Sequence, residues 1–218
     1  MGGVAILHQA QLIPTKIDLL RAWVPRQPWL GDADASSLEP VGAYRFDDPA
    51  GAVGVETHLV RTADGQILHV PLTYRDAPAA DAEESLIATM QHSALGERWV
   101  YDGCGDAVWL QTMVTAIMTG GTQAELEVLT DAGPQRREPT ARVTGSGSSG
   151  AAVPPVHAPI SCTAEGTTTV VRSSDVLVTL FRVIDPHPAG PEHQGAGTLV
   201  GTWAGQATPA VLAVARIS

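Results

Sequence analysis

Lysine is almost absent from these 218 residues: it occurs once, at Lys16. Lysine and arginine together number 13 against 23 aspartates and glutamates, a net charge of −10. A chain so poor in cations excludes sequence-independent binding of nucleic acid, which needs clustered Lys and Arg. It equally disfavours docking on anionic lipid. Cysteine is scarce as well. Cys104 and Cys162 are too few and too isolated for a disulfide scaffold or a zinc cage, and are expected to be two reduced thiols. No apolar run approaches the ~18 residues of a membrane span. The opening Met1-Gly-Gly-Val-Ala-Ile-Leu-His8 lacks the basic start of a signal peptide, and Ile6 stands where a myristoylation signal needs Ser or Thr. The expectation is a cytoplasmic protein with no membrane and no nucleic-acid partner. Neutral or cationic partners, sugars included, stay open.

What is present is a foldable core. Hydrophobic content of 44% and charged content of 17% are those of a globular protein, long enough for one large domain or two small ones. Ala5–Ile13 reads as a strand. Thr15, with Asp18 three residues on, caps a short helix whose Ile17, Leu20 and Val24 form one stripe, and Pro25 and Pro28 end it. Strand-like runs follow at Val41–Phe46, Val53–Arg61 and Gln66–Tyr74, the last two flanking the hairpin signal Asp64-Gly65. A helix is predicted from Asp81, with Glu84 completing a capping box, to Gly96, and then a short strand at Trp99–Tyr101. The next helix runs from Asp106 to about Thr119, with Trp109, Leu110, Met113, Val114 and Ile117 on its buried face and Gly120-Gly121 at its end.

Beyond that helix the character changes. Ala124–Leu129 alternates charged and apolar residues, and is predicted to pair across Asp131–Pro134 with Thr140–Thr144. Gly145–Pro159, rich first in Gly and Ser and then in Pro, reads as a mobile connector. Strands are predicted at Ile160–Ala164, Thr167–Val171, Val176–Ile184, Leu199–Trp203 and Ala210–Arg216, with a Pro/Gly/His loop over Asp185–Gly197.

Three segments carry a resemblance: Gly42-Ala-Tyr-Arg-Phe-Asp-Asp-Pro49, Val70-Pro-Leu-Thr-Tyr-Arg75, and His92-Ser-Ala-Leu-Gly-Glu-Arg-Trp-Val-Tyr-Asp-Gly103. With them, residues 5 to about 120 resemble the N-terminal cap domain of maltokinases, and more closely the short stand-alone actinobacterial proteins built on that cap. The resemblance implies a curved antiparallel sheet around a helix, followed by a β-rich domain like a kinase N-lobe. Asp175-Val-Leu-Val-Thr-Leu-Phe-Arg182 is similar to the kinase strand that carries the lysine holding the nucleotide phosphates, and Thr179 occupies that lysine's place. A threonine has no positive charge to set against polyphosphate. The resemblance implies Glu192, in Pro191-Glu-His193, as the counterpart of the glutamate that pairs with the lysine. No His-x-Asp-x-x-x-x-Asn loop follows, so restoring lysine at 179 alone is expected to create no activity.

Other candidates for chemistry have a plainer reading beside them. Gly145-Ser-Gly-Ser-Ser-Gly150 fits G-x-G-x-x-G, but Pro154-Pro155 soon after forbids the helix a phosphate cradle needs, so a linker is expected. If Asp64-Gly65 alone forms the hairpin loop, Leu59 pairs with Val70. Val55, Leu59, Leu68, Val70 and Leu72 then share the core face, and Glu56, His58, His69 and Thr73 share the other. That polar set is either a solvated or subunit-facing surface or a ligand site. Asp48, Asp102 and Asp106 are expected to form turns and caps, and His187 and His193 to be solvated loop residues.

The reading is an α+β protein: a maltokinase cap-like domain over 1–120, a curved antiparallel sheet with packed helices, then a β-rich kinase-N-lobe-like domain over 121–218 with a flexible segment at 145–159. The expected function is that of a non-catalytic, pseudoenzyme-like accessory or regulatory protein linked to α-glucan and trehalose metabolism. Its expected partner is another protein or a second copy of itself. No cofactor, no metal and no catalytic residue is expected. Two alternatives stay open: a carbohydrate- or nucleotide-binding module, and an enzyme that uses the Glu56/His58/His69 face.

Overall fold

The computed structural model describes residues 4–7, 11–130, 133–185 and 196–217. The strands β1 (Val4–Leu7) and β2 (Leu12–Ile13) precede the helix α1 (Lys16–Trp23). Thr15 caps α1 as expected, its hydroxyl accepting from the Asp18 amide at 3.3 Å. Leu19 and Leu20 give α1 its buried side. Pro25 is the second residue of the 3-10 turn Val24–Arg26 and Pro28 the first of Pro28–Leu30, opening positions where the missing N–H of proline costs no bond.

Strands β3 (Leu38–Asp47), β4 (Gly54–Thr62) and β5 (Ile67–Arg75) form the antiparallel run that the alternation predicted. Their register differs from expectation. Thr62 donates its amide to Gln66 at 2.9 Å and Gly65 donates to Thr62 at 3.0 Å, so the loop is the three residues Ala63-Asp64-Gly65. Asp64 sets this length: its carboxylate takes the Thr62 hydroxyl on one side and the Gln66 amide on the other. Leu59 therefore faces His69, and Val70 faces His58. Because side chains alternate, the one-residue slip moves β5 over by one face relative to β4.

The helix expected over 81–96 is replaced by a hairpin of β6 (Leu86–His92) and β7 (Gly96–Asp102), the second of which contains the strand expected at Trp99–Tyr101. The capping box at 81–84 yields only a 3-10 turn at Glu83–Ser85. Pairing wins over the local signal, since β7 bonds to β5 on one side and β6 on the other. With β2 at the edge, the strand order is β2-β6-β7-β5-β4-β3, curled into a half-barrel.

The helix α2 (Ala107–Thr119) is bounded as the sequence indicates. Asp106 accepts from the Val108 amide at 2.9 Å, and Gly120 closes the helix at φ +68°. Strands β8 (Glu125–Thr130) and β9 (Gly133–Arg137) then make a small sheet in which β8 pairs with β9 and, in parallel, with β1. The predicted partner of β8 goes elsewhere: β10 (Ala141–Gly145) buries Ala141 and Val143 and pairs with β15 (Gly197–Trp203). The remaining strands are β11 (Ser161–Glu165), β12 (Thr168–Arg172), β13 (Val176–Phe181), β14 (Val183–Ile184) and β16 (Gln206–Ile217). A six-stranded antiparallel sheet runs β10-β15-β16-β13-β12-β11.

The Gly145–Pro159 segment is not a free connector. Gly147 and Ser148 donate their amides to the last carbonyls of α2, Ile117 and Met118, at 2.8 and 3.1 Å. Val153 and Val156 pack on the core.

Two cores result. One face of the half-barrel, with Leu68, Val70, Leu72 and Val100, packs on Leu19, Leu20 and Val24. The other face, with Tyr44, Val55 and Leu59, packs with the buried side of α2 and with Val178, Leu180 and Leu212 of the six-stranded sheet. The expected boundary at residue 120 thus runs beside a core to which both parts contribute. β14 also crosses over, pairing with β5 at Leu68 and Ile67. No helix among the described residues is long and apolar enough to cross a membrane.

Candidate functional site

The face of the half-barrel that receives α1 is not filled along its whole length. Cross-strand pairing places Arg45 opposite Glu56, Gly54 opposite Tyr74, and Met90 opposite Arg98. Glu56 and His58 are two apart on β4, so Arg45, Glu56, His58 and Tyr74 share this face. Lys16, the first residue of α1, reaches over the same place. Between them lies a pocket of about 390 Å³, lined among others by Lys16, Arg45, Glu56, Tyr74, Asp76 and Arg98.

Its floor is a compact charge cluster. Glu56 is buried and ion-paired with Lys16. The His58 Nε2 lies 3.7 Å from the same carboxylate and 3.3 Å from the Tyr74 hydroxyl. The Lys16 ammonium also sits 5.3 Å from the centre of the Tyr74 ring, a cation–π distance. Burial works against the Glu56 charge, but Lys16, His58 and Arg45 outweigh it and hold the carboxyl down at about 2. Burial pushes His58 down to about 4, with Glu56 opposing and Lys16 and Arg45 assisting. Burial raises the Tyr74 phenol well above its ordinary value, and the neighbouring Glu56 charge adds to this. Near neutral pH the cluster is therefore a carboxylate–ammonium pair beside a neutral imidazole and a phenol. It can donate and accept hydrogen bonds.

The rim is held as well. Asp48 accepts the amides of Ala50, Ala52 and Val53 at 2.9–3.0 Å, which fixes the turn leading to Gly51 and Gly54. The Arg45 guanidinium packs over Gly54, 3.4 Å from where a Cβ would lie.

The predicted polar face is divided by the register. Glu56 and His58 belong to the pocket, whereas His69 and Thr73 lie on the opposite face, against α2 and the second sheet. The His69 Nδ1 is 3.3 Å from the Phe181 carbonyl, which can only accept, so Nδ1 carries the proton and Nε2 accepts from the Tyr44 hydroxyl at 2.7 Å. Burial, with Arg182 behind it, pushes His69 down to about 3. Thr73 donates to Asp106 at 2.7 Å. Both are buried structural contacts.

The expected cap and turn carboxylates are that. Asp106 also receives both arms of Arg75, at 2.9 and 2.7 Å. Asp102 accepts the Cys104 amide and the Arg182 guanidinium, the latter at 2.6 Å. Thr179 lies on β13, half-buried, between Val170 and Val214. Glu192, His187 and His193 fall outside the described residues. Among the described residues, no three His, Cys, Asp or Glu side chains come together as a metal site would require.

Sequence reasoning missed Lys16, Arg45, Tyr74 and Arg98. One signal was available: the only lysine stands at the first position of a helix, the end where the helix dipole disfavours a cation. A specific partner is then expected.

No curated protein matches the chain. Among solved structures it is similar to a glucosamine kinase in complex with glucosamine, ADP and inorganic phosphate, at 18% identity and a TM-score of 0.48 over 94% of this chain. The chain spans 41% of that kinase's length. Residues 23–106 match the maltokinase N-terminal cap domain, the stretch that holds Arg45, Glu56, Tyr74 and Arg98 and so most of the pocket's charged wall.

Proposed function

We propose that this chain is a non-catalytic accessory or regulatory protein of α-glucan and trehalose metabolism, acting in the cytoplasm by holding a partner or ligand rather than by transferring phosphate. The observation that carries this reading is Thr179. The position resembling a kinase's nucleotide lysine holds an uncharged side chain whose cross-strand neighbours are two valines. Phosphoryl transfer depends on cations set against the phosphates, and the nearby cation Arg182 is fully buried and bonded to Asp102 and Thr169. The cap match over residues 23–106 supports the metabolic setting. The test is ATP consumption by the purified chain with magnesium and either maltose or glucosamine. No sugar-dependent ADP release is expected, and release above the no-sugar background would overturn the reading.

A second reading, a small-molecule binding module, is favoured by the pocket between α1 and the half-barrel. A protein partner or a second copy belongs to the first reading. Light scattering at increasing concentration tests the second-copy case: a mass that stays that of one chain excludes it.

A further inference from the structure

The geometry points to the pocket beneath α1 as a binding site for a small phosphate-bearing polyol, the size of a phosphorylated monosaccharide, with Arg45 and Arg98 receiving the phosphate. This goes beyond the non-catalytic reading and does not depend on it.

Charge is the first argument. The chain has 23 acids to 13 bases, yet this one pocket is lined by three cations, Lys16, Arg45 and Arg98, against two carboxylates, Glu56 and Asp76. Glu56 is already neutralised by Lys16. Asp76 is exposed at the edge. Neither Arg45 nor Arg98 makes an ion pair with a described carboxylate within 4 Å. Arg45 acts on Glu56 through space without an ion pair, and Arg98 gives one N–H to the Glu97 carbonyl at 3.2 Å, so both guanidiniums keep donors in this partly enclosed space that suit a phosphate, whose oxygens match their forks.

Size and polarity make the rest of the ligand. A volume of about 390 Å³ lies at the small end of ligand sites, which span roughly 300–1,000 Å³. The floor supplies hydrogen-bonding groups of both kinds, the Tyr74 hydroxyl, the Lys16 ammonium and the Glu56 carboxylate, and Asp76 adds carboxylate oxygens at the edge. Such a mixture suits several hydroxyls on one small frame. The Glu56–Lys16 pair and the Asp48-bound rim hold these groups in place before any ligand arrives, which lowers the ordering cost of binding.

Titration calorimetry with glucose-6-phosphate, glucose and inorganic phosphate tests this. Glucose-6-phosphate is expected to bind roughly tenfold or more tighter than either of the others, and to weaken as salt rises. Arg45→Ala and Arg98→Ala are each expected to lose roughly tenfold in affinity, while Arg142→Ala, on the six-stranded sheet, leaves it unchanged. Circular dichroism checks that each variant is folded. If Arg45→Ala unfolds, the half-buried Arg98 decides alone. Equal affinity for glucose and glucose-6-phosphate, equal affinity for free phosphate, no binding of any of the three, or unchanged binding in the folded arginine variants would each overturn the proposal.

Discussion

The buried ionisable side chains fix how this protein responds to acid. His58 and His69 are held neutral, at about 4 and about 3, against an ordinary value of 6.5. Between those limits the unfolded chain binds more protons than the folded one, so stability rises with pH there. The contribution is complete above about pH 6.5 and is lost as pH falls towards 4 and 3. Glu56, held at about 2 against 4.5, adds a further loss below about pH 4.5. The melting temperature is therefore expected to be flat from about pH 8 to 7 and to fall steadily below about 6.5. A melting temperature independent of pH between about 6.5 and 4 would contradict the burial of both imidazoles. The two histidines should also differ on truncation. His69→Ala removes the buried hydrogen bonds to the Tyr44 hydroxyl and the Phe181 carbonyl and opens a void, costing about 2–4 kcal/mol. His58→Ala, at the pocket wall, is expected to cost about 1 kcal/mol. Equal costs by urea denaturation would mean that the register is wrong.

At the scale of elements, the segment after β10 makes the sharpest claim. It reads as a loose Gly/Ser linker, yet a Cβ on Gly147 would sit 1.8 Å from the Met118 carbonyl oxygen, and one on Gly145 would sit 1.9 Å from that of Ala116. The glycines are there so that two backbones can touch. Gly147→Ala is expected to destabilise by about 2 kcal/mol or more, because backbone must move. Gly150→Ala, where φ is +88° and the space is open, costs only the left-handed conformation, about 1–2 kcal/mol. Thermal melts of the two variants check the order, and equal losses would contradict the docking of this segment on α2.

The same segment illustrates what was legible. Caps at Thr15 and Asp106, the end of α2 at Gly120, and the alternation of β3, β4 and β5 are local signals, and each could be read from a few neighbours. Composition alone could not reveal that Gly147 lies on α2, since that contact joins residues far apart in the chain. The first strand of the hairpin, within 81–96, reads as a helix for a related reason. Its capping box is local, whereas the pairing of β7 with β5 that overrides it is not. One residue of loop length, set by Asp64 bonding to both Thr62 and Gln66, was enough to divide a polar face that simple alternation had joined. The pocket was invisible because it gathers residues from α1, β3, β4, β5 and β7.

On the scale of the whole molecule, the half-barrel, α2 and the six-stranded sheet share one core, and Arg182 pins them together. Its guanidinium is fully buried, bonded to Asp102 of β7 and Thr169 of β12, and stacked 4.8 Å from the centre of the Trp29 ring. A cation buried between two parts of a protein holds them in one relation, and its loss strands Asp102 without its charge partner. Arg182, three residues beyond Thr179, the strand position that resembles the nucleotide lysine, is thus committed to holding the fold. We propose that this chain binds and does not transfer phosphate. The most direct measurement is phosphorus NMR of the protein incubated with ATP, magnesium and maltose, followed over hours. ATP signals are expected to match the protein-free control throughout. A growing sugar-phosphate resonance, paired with ADP, would contradict it.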